Sequence, residues 1–316
     1  MNKKMSDNPN NKSISVALSQ SFRQSKLQRY WIAMGIGTIS IALFFFFMSA
    51  ETFQWLKNDL AAENHIFYWM VLVGIGAEVV AGSMGMGYGV ICTTILLLLN
   101  VPPVSVSASI HTAETFTSAA GAMSHYKYGN INLKLAKKLS IPGAIGAIIG
   151  AIALIALHHK SPVFIKLGIS IYTFYLGVKI MQNAFKQGII EKKETNIPVI
   201  ATIGGFIDSF GGGGWGPLIT GTLIKNGETP RFSIGSSSLA KFVLTFASAF
   251  TFFVGGGFGQ WRIIAGLLIG GVATAPLSAL LTTRLPTNKM FVIVGIVVIV
   301  CSLISISRVV LKMIAG

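Results

Sequence analysis

Long apolar runs separated by short polar and basic segments form the pattern of this chain. A polar, basic tail over residues 1–30 precedes a first run at 31–50, which is long enough to cross a bilayer because a crossing takes about 20 residues. The pattern predicts an all-α, polytopic helical membrane protein with one extra N-terminal transmembrane helix. The further predicted segments are 66–84, 86–100, 104–125, 138–158, 163–183, 197–210, 215–226, 232–255, 261–282 and 288–311.

Three of these segments, 86–100, 197–210 and 215–226, are too short for an upright crossing. Glycine-rich turns separate them from their neighbours. Two structures fit this pattern: tilted short helices, or hairpins that enter the membrane and return. Both have the same effect on the sidedness of the segments that follow.

Composition supports a membrane protein and excludes a soluble enzyme. Hydrophobic residues make up 52% of the 316 residues and charged residues 11%, against about 25% charged in soluble proteins. Cys92 and Cys301 both lie in apolar runs, so we expect no disulfide framework, no metal site and no cofactor. The net charge of +15 is expected from basic cytoplasmic loops and does not indicate nucleic acid binding.

The distribution of Lys and Arg predicts the orientation in the cell membrane. With the N-terminus inside, seventeen basic residues lie on the cytoplasmic side and six on the outer side. Because basic residues accumulate in cytoplasmic loops, we expect a cytoplasmic N-terminus and an external C-terminus. The acidic segment 51–65 is then an external connection.

An internal repeat appears when the chain is compared with itself at an offset of 127 residues. The match divides the chain into a first repeat at 66–183 and a second at 197–311, each with five segments. An odd number of segments gives the second copy the opposite orientation, as in the inverted repeats of many secondary transporters. The matched positions include Gly85–Gly212, Gly87–Gly214, Tyr88–Trp215, Gly89–Gly216, Pro103–Pro230 and Ser109–Ser236.

The stretch from Gly204 to Pro217, GGFIDSFGGGGWGP, resembles the signature of the sulfite exporter TauE/SafE family of membrane permeases. Its weaker counterpart GSMGMGYG at 82–89 fits the same family. The resemblance covers about residues 66–311. It implies gradient-driven transport of small sulfur-containing anions, such as sulfite and organosulfonates, without deciding which anion moves.

The two glycine turns are candidate substrate-binding elements. Successive backbone N–H groups can form an anion-binding nest, strengthened where a helix begins. The alternative is that these glycines only allow close helix packing. The candidates are Gly85, Gly87, Tyr88 and Gly89 in the first repeat, Gly211, Gly212, Gly213, Gly214 and Trp215 in the second, and the matched pair Ser109 and Ser236.

Two polar stripes follow these turns on matching helices, which suggests a shared central cavity. The first stripe contains His111 and Glu114 at helical spacing, and the second contains Lys241 at the position that matches Glu114. An anion carrier needs a positive charge near its substrate, so Lys241 is a candidate ligand. The alternative is an ion pair between Lys241 and Glu114 that only joins two helices.

Four ionisable residues in apolar surroundings are candidates for proton coupling or gating, namely Glu78, His111, Glu114 and Asp208. A charged side chain within a span faces a cavity or a partner because its burial in lipid is costly. Each residue also has a structural alternative. Asp208 can cap the helix after the turn, His111 can serve helix packing, and Glu78 can form a hydrogen bond to a neighbouring helix.

The preferred hypothesis is a proton-coupled secondary transporter of a small inorganic or organosulfur anion, working by alternating access. Two alternatives remain, a passive anion channel and a non-transporting membrane scaffold. No phosphate-loop, HExxH or nucleophile-elbow motif is present, so we expect no enzyme. The expected partners are the anion, protons and the lipid bilayer, with a homo-oligomer possible.

Overall fold

The computed structural model describes residues 50–183, 196–256, 260–281 and 287–314, with side chains at most positions from His65 onward. The predicted tail at 1–30 and almost all of the predicted helix at 31–50 lie outside the described residues. The chain divides into two compact units, Met1–Ala62 and Glu63–Gly316, and the contacts described below lie within the second.

Every described element is helical, which confirms the predicted all-α class. The short helix α7 follows a π-helical turn at Gly216–Thr220. The helices are α1 (Ala50–Met84), α2 (Tyr88–Leu98), α3 (Pro103–Lys127), α4 (Leu133–Lys160), α5 (Pro162–Asn183), α6 (Ile197–Gly211), α7 (Gly221–Lys225), α8 (Pro230–Val254), α9 (Trp261–Leu281) and α10 (Thr287–Ile314).

The lengths and apolar character of the helices confirm a polytopic membrane protein. Within the described residues, five helices contain segments long and apolar enough to span a membrane: His65–Met84, Leu133–Lys160, Pro162–Gln182, Pro230–Val254 and Phe291–Ile314. The short apolar helix α2 has 11 residues and therefore extends about 16 Å at 1.5 Å per residue. It crosses only part of a bilayer core of about 30 Å.

Local signals explain where the helix bounds differ from the predicted segments. Residues 51–65, predicted as a connection, are helical as the first part of α1. Helix α4 begins five residues before the predicted apolar run because Asn132 caps it, its side chain accepting hydrogen bonds from the N–H groups of Lys134 and Leu135 at 3.1 and 3.2 Å. The sequence did not predict the π-helical turn.

The two halves have matching elements at the offset of 127 residues. Helix α3 begins at Pro103 and ends at Lys127, and α8 begins at Pro230 and ends at Val254, so both bounds differ by 127. The glycine turns match as well, since φ is 71° at Gly85 and 69° at Gly212. These left-handed values favour glycine because it has no Cβ.

Matching helices pack against each other in antiparallel orientation. Ser170 and Thr173 of α5 contact Ser305 and Ser302 of α10, both with Oγ–Oγ or Oγ1–Oγ distances of 2.9 Å. The residue number rises by three along α5 where it falls by three along α10, so the two helices run antiparallel. An antiparallel contact between equivalent helices is the geometry expected of an inverted repeat.

Helices α3 and α8 show the same antiparallel arrangement at the centre of the molecule. The His111 ring near the start of α3 stacks on the Phe252 ring near the end of α8, with centroids 6.3 Å apart. At the other end, Arg231 at the start of α8 donates to the carbonyl oxygen of Tyr128, just after α3, at 2.8 Å. The polar helix α3 is thereby covered by protein, which explains why it tolerates many hydroxyl groups.

Candidate functional site

A cavity of about 70 Å³ lies between α1, α3 and α8, beside both glycine turns. One water needs roughly 10–15 Å³ measured in the same way, so this space suits several waters or one small anion. It extends from the middle of α3 and α8 towards His125 and Ile234. Its lining includes the aromatic residues Tyr88 and Trp215. The polar lining residues are Glu78, Glu114, Thr117, Ser118, His125, Ser237, Ser238 and Lys241.

An ion pair joins the two halves at this cavity. The Nζ of Lys241 donates to Oε1 of Glu114 at 2.5 Å, and the two residues are equivalent at the offset of 127. Glu114 is 2% exposed and Lys241 is 17% exposed. Because an ammonium has three N–H donors, Lys241 can bind Glu114 and still present donors to a ligand in the cavity.

A second contact between equivalent residues lies one helical turn away. The hydroxyl oxygens of Ser118 and Thr245 are 3.5 Å apart and differ by 127 in sequence. Residues that contact their own equivalents lie on a pseudo-two-fold axis. The cavity and the ion pair are therefore at the axis that relates the halves.

Behind the ion pair, His111, Glu114 and Asp208 form a buried cluster. One nitrogen or oxygen atom from each residue lies within 4.8 Å of the other two. All three residues are buried, with exposed fractions of 0–2%. This spacing also suits a metal ion, so metal binding must be separated from proton binding experimentally.

The bonds within this cluster leave several atoms without a partner. Nε2 of His111 is 3.1 Å from the backbone carbonyl oxygen of Asp208, and Nδ1 is 3.8 Å from Oε2 of Glu114. Within the described residues, Nδ1 of His111, Oε2 of Glu114 and Oδ2 of Asp208 have no hydrogen-bond partner. Buried polar atoms of this kind are costly unless something binds them.

Asp208 caps the helical segment after the second glycine turn. Its Oδ1 accepts the backbone N–H of Trp215 at 2.7 Å. A resident carboxylate thus occupies the N-terminal position that an anion would take. At the offset of 127, Ala81 stands where Asp208 does, and α2 has no side-chain cap.

The glycine turns pack against each other rather than forming most of the cavity wall. A Cβ at Gly89 would overlap the backbone of Gly212 and Gly213, and one at Gly216 would lie 2.6 Å from the Cα of Met86. Thr93 Oγ1 donates to the carbonyl oxygen of Gly212 at 2.7 Å. These contacts show close packing of the turns, and anion binding by their backbone N–H groups stays a prediction.

The predicted site residues other than Ser109 and Ser236 fall into three places. Gly85, Tyr88, Trp215, Lys241, Glu78 and Glu114 line the cavity. Gly87 and Gly212–Gly214 lie in the turns, with Gly89 and Gly211 in the helices next to them, while His111 and Asp208 lie behind the ion pair. Ser236 accepts the N–H of Asn132 at 2.9 Å away from the cavity wall, and the buried Ser109 Oγ has no partner within the described residues.

The sequence did not predict the residues whose side chains form hydrogen bonds to the second glycine turn. Tyr172 of α5 donates its hydroxyl to the carbonyl oxygen of Gly213 at 3.0 Å. Trp215 Nε1 donates to Ser237 Oγ at 2.9 Å, and that hydroxyl lies 2.8 Å from Thr220 Oγ1. The offset of 127 residues relates Thr220 to Thr93, which bonds to the first residue of the second turn, so this matched pair could have been found from the sequence. No feature of the sequence indicates Tyr172.

Comparison with known proteins identifies the family. The family model described as sulfite exporter TauE/SafE matches residues 70–305, which include both turns and the whole cavity. The chain belongs to the TauE/SafE family. No solved structure matches this chain.

Curated relatives from Bacillus subtilis (strain 168) agree with this family assignment. The chain is similar to the probable membrane transporter protein YtnM, with 34% identity over 71% of this chain and 77% of the relative. It is also similar to the probable membrane transporter protein YjnA, at 24% identity over 73% of this chain and 96% of that relative. The TauE/SafE chain is accordingly a multi-pass membrane transporter.

Proposed function

We propose that this protein is a secondary transporter that moves a small sulfur-containing anion, of the sulfite or organosulfonate type, by proton-coupled alternating access. The observation that carries the proposal is the partly exposed Lys241 ammonium, which faces a small cavity at the pseudo-two-fold axis. The family name supports a sulfur oxyanion as substrate.

The cavity offers a suitable set of groups for an oxyanion. Lys241 supplies a charged donor, and the hydroxyls of Ser118 and Ser238 lie in the same wall. The aromatic rings of Tyr88 and Trp215 exclude water on another side and accommodate the apolar part of an organosulfonate. Charge-assisted hydrogen bonds of this type are stronger than neutral ones.

The charges around the cavity favour coupling to protons. Among the described residues that line the cavity, Glu78 and Glu114 supply two carboxylates and Lys241 supplies one ammonium. If both carboxylates are ionised, their net negative charge repels an anion. One proton bound together with the anion removes this repulsion, so we expect proton and anion to move in the same direction.

The helix arrangement supports alternating access by an inverted repeat of residues 66–183 and 197–311. Equivalent helices pack antiparallel, and equivalent residues meet at the axis. Exchanging the conformations of two such halves would open the cavity alternately to each side. We propose that the cavity end at His125 and Ile234 faces the cytoplasm, following the basic loop after α3.

Cysteine labelling tests this orientation. Lys134 and Gln260 are both exposed, and the proposal places the first inside and the second outside. A membrane-impermeant thiol reagent added to intact cells should modify Gln260→Cys and leave Lys134→Cys unmodified. The parent protein, which contains Cys92 and Cys301, gives the background. Labelling of Lys134→Cys from outside would contradict the orientation.

Transport in proteoliposomes tests the function. An inward proton gradient should drive uphill accumulation of sulfite or methanesulfonate by the wild-type protein, whereas a channel would only dissipate gradients. Absence of flux for every sulfur anion tested would contradict the proposal. A preference for short carboxylates would overturn the sulfur part of it.

The role of Lys241 is tested separately from the stability of its ion pair. The double variant Lys241→Met with Glu114→Gln removes both charges, so no buried charge is left without a partner. We expect this folded protein to lose anion binding. Lys179→Met is the matched control because Lys179 is exposed on α5, and it should bind normally. Unchanged affinity in the double variant would exclude Lys241 as a ligand.

A further inference from the structure

The hydrogen bonding of His111 defines which of its ring nitrogens carries a hydrogen. The hydrogen bond between Nε2 of His111 and the carbonyl oxygen of Asp208 spans 3.1 Å. A carbonyl oxygen can only accept, so Nε2 carries the hydrogen. In a neutral imidazole the other nitrogen, Nδ1, is then an acceptor.

This tautomer brings two acceptors face to face. Nδ1 of His111 lies 3.8 Å from Oε2 of Glu114, and neither atom has a hydrogen-bond partner within the described part of the chain. The other oxygen of Glu114 is already bound to Lys241. A proton added between Nδ1 and Oε2 would turn two unpaired acceptors into one charge-assisted hydrogen bond of about 2.7–2.9 Å.

The surrounding charges make this position receptive to one positive charge. Two carboxylates, Glu114 and Asp208, face one ammonium, Lys241, within a cluster shielded from solvent. One further positive charge balances Glu114 and Asp208 against Lys241, and Glu78 on the cavity wall adds a third carboxylate nearby. The other titratable groups that act on these residues are Glu78 of α1, Tyr88 and Cys92 of α2 and Tyr172 of α5.

We propose that one proton binds between Nδ1 of His111 and Oε2 of Glu114, and that this proton is the one that couples to anion transport. This inference rests on the proposed function and names the site of its coupling ion. The bound proton weakens the attraction between Glu114 and Lys241. The Lys241 ammonium is thereby released towards the cavity, where the anion takes the place of the carboxylate.

Separating gradient-driven accumulation from exchange tests the proton site. Exchange of methanesulfonate across the membrane of proteoliposomes requires anion binding but no net proton movement. His111→Gln keeps a donor for the Asp208 carbonyl but cannot bind a proton, and Glu114→Gln imitates a permanently protonated side chain. Because the proposed proton frees Lys241 for the anion, Glu114→Gln should keep exchange and lose accumulation driven by a proton gradient. His111→Gln should lose both, and adding Glu114→Gln to it should restore exchange. His159→Gln is the matched control because His159 is exposed, and it should keep both.

Several results would overturn the inference. His111→Gln that accumulates anion like the wild type would show that the proton binds elsewhere. Loss of exchange in a monodisperse double variant of His111→Gln with Glu114→Gln would place His111 in the anion site instead. Accumulation by the wild type with a sodium gradient alone, or removal of coupling by a metal chelator, would identify a metal ion as the coupling ion. Absence of exchange in the wild type would instead contradict the proposed function.

The pH dependence of binding by the wild type gives a second test that needs no variant. Methanesulfonate does not titrate near neutral pH, so any pH dependence comes from the protein. If the anion binds together with one proton, Kd should rise by about tenfold per pH unit on the alkaline side of the transition. A Kd that stays constant from about pH 5 to about pH 8 would overturn the proposal.

Discussion

Two glycine turns can be compared, one between α1 and α2 and one after α6. Their first glycines have the same backbone conformation, but the charged residues beside them differ. Gly85 and Gly212 have φ values of 71° and 69°, and each turn packs against the backbone of the other. Position 81 is alanine in the first half, while its equivalent is Asp208, the cap of Trp215. The backbone thus matches at the first glycine of each turn but differs beyond it, because the second turn leads into the π-helical turn Gly216–Thr220 and the first leads into α2. The side chains differ as well.

The same contrast holds for the helices after the turns. Helix α3 carries His111 and Glu114, whereas α8 carries Ser238 and Lys241 at the matching positions. One half supplies a buried carboxylate and imidazole, and the other supplies the ammonium. A pseudo-symmetric scaffold can exchange conformations between its halves, while the asymmetric side chains give one site with defined charges.

Breaking the central ion pair should have the largest effect on stability. Lys241→Met leaves Glu114 buried without a partner, which in soluble proteins costs about 3–5 kcal/mol. The free energy of unfolding should fall by a similar amount, and adding Glu114→Gln should restore most of it. Thermal unfolding of the purified proteins measures both steps. A double variant as unstable as Lys241→Met alone would show that the pair contributes no coupling.

The symmetric packing of the two turns should be the next most sensitive feature. Gly89→Ala and Gly216→Ala each place a Cβ against backbone atoms, and overpacking of this kind costs about 1–3 kcal/mol. Gly76→Ala and Gly221→Ala are matched controls because a Cβ at either position meets nothing within 4 Å. These controls should unfold at or above the wild-type temperature. A large loss of unfolding free energy in only one of the two variants would show that the two turns are not packed equally tightly.

The cap present in only one half should have an intermediate effect. Asp208→Ala removes the acceptor for the Trp215 N–H, and loss of such a cap costs about 0.5–2 kcal/mol. Asp208→Asn keeps an amide oxygen in place and should retain more of the stability. Equal losses of unfolding free energy in the two variants would mean that the charge of Asp208, rather than its cap, stabilises the turn.

The hydroxyl contact at the axis should have the smallest effect. Ser118 and Thr245 are 3.5 Å apart, and each hydroxyl also donates within its own helix, to Glu114 and Lys241 carbonyl oxygens. A double-mutant cycle of Ser118→Ala and Thr245→Val should give a coupling energy near or below about 0.6 kcal/mol. A coupling well above 1 kcal/mol would show that this contact is a principal bond between the halves.

The sequence predicted the helical fold and the repeat because both leave periodic signals. Apolar runs reveal membrane helices, and the offset of 127 aligns the bounds of α3 and α8. The ion pair between Glu114 and Lys241 was foreseen as an alternative, since equivalent positions on paired helices can meet at an axis.

Contacts between helices that are not equivalent in the two halves could not be predicted from the sequence. The bond from His111 to the Asp208 carbonyl joins α3 to α6, and no periodicity or offset relates these residues. The matched serines Ser109 and Ser236 were expected near the substrate, but the structure places neither on the cavity wall. A match between repeats shows that two positions are equivalent and does not show which way their side chains point.

The contact between residues 114 and 241 also bears on how such a protein can evolve. In a homodimer of two identical five-helix chains, a residue on the two-fold axis faces its own copy. Glutamate would face glutamate, or lysine would face lysine, and like charges would repel in a buried site. An ion pair on the axis is possible only when the two copies differ in sequence. Joining two copies in one gene therefore permits a charge separation at the centre of the molecule that an ancestral homodimer could not have had.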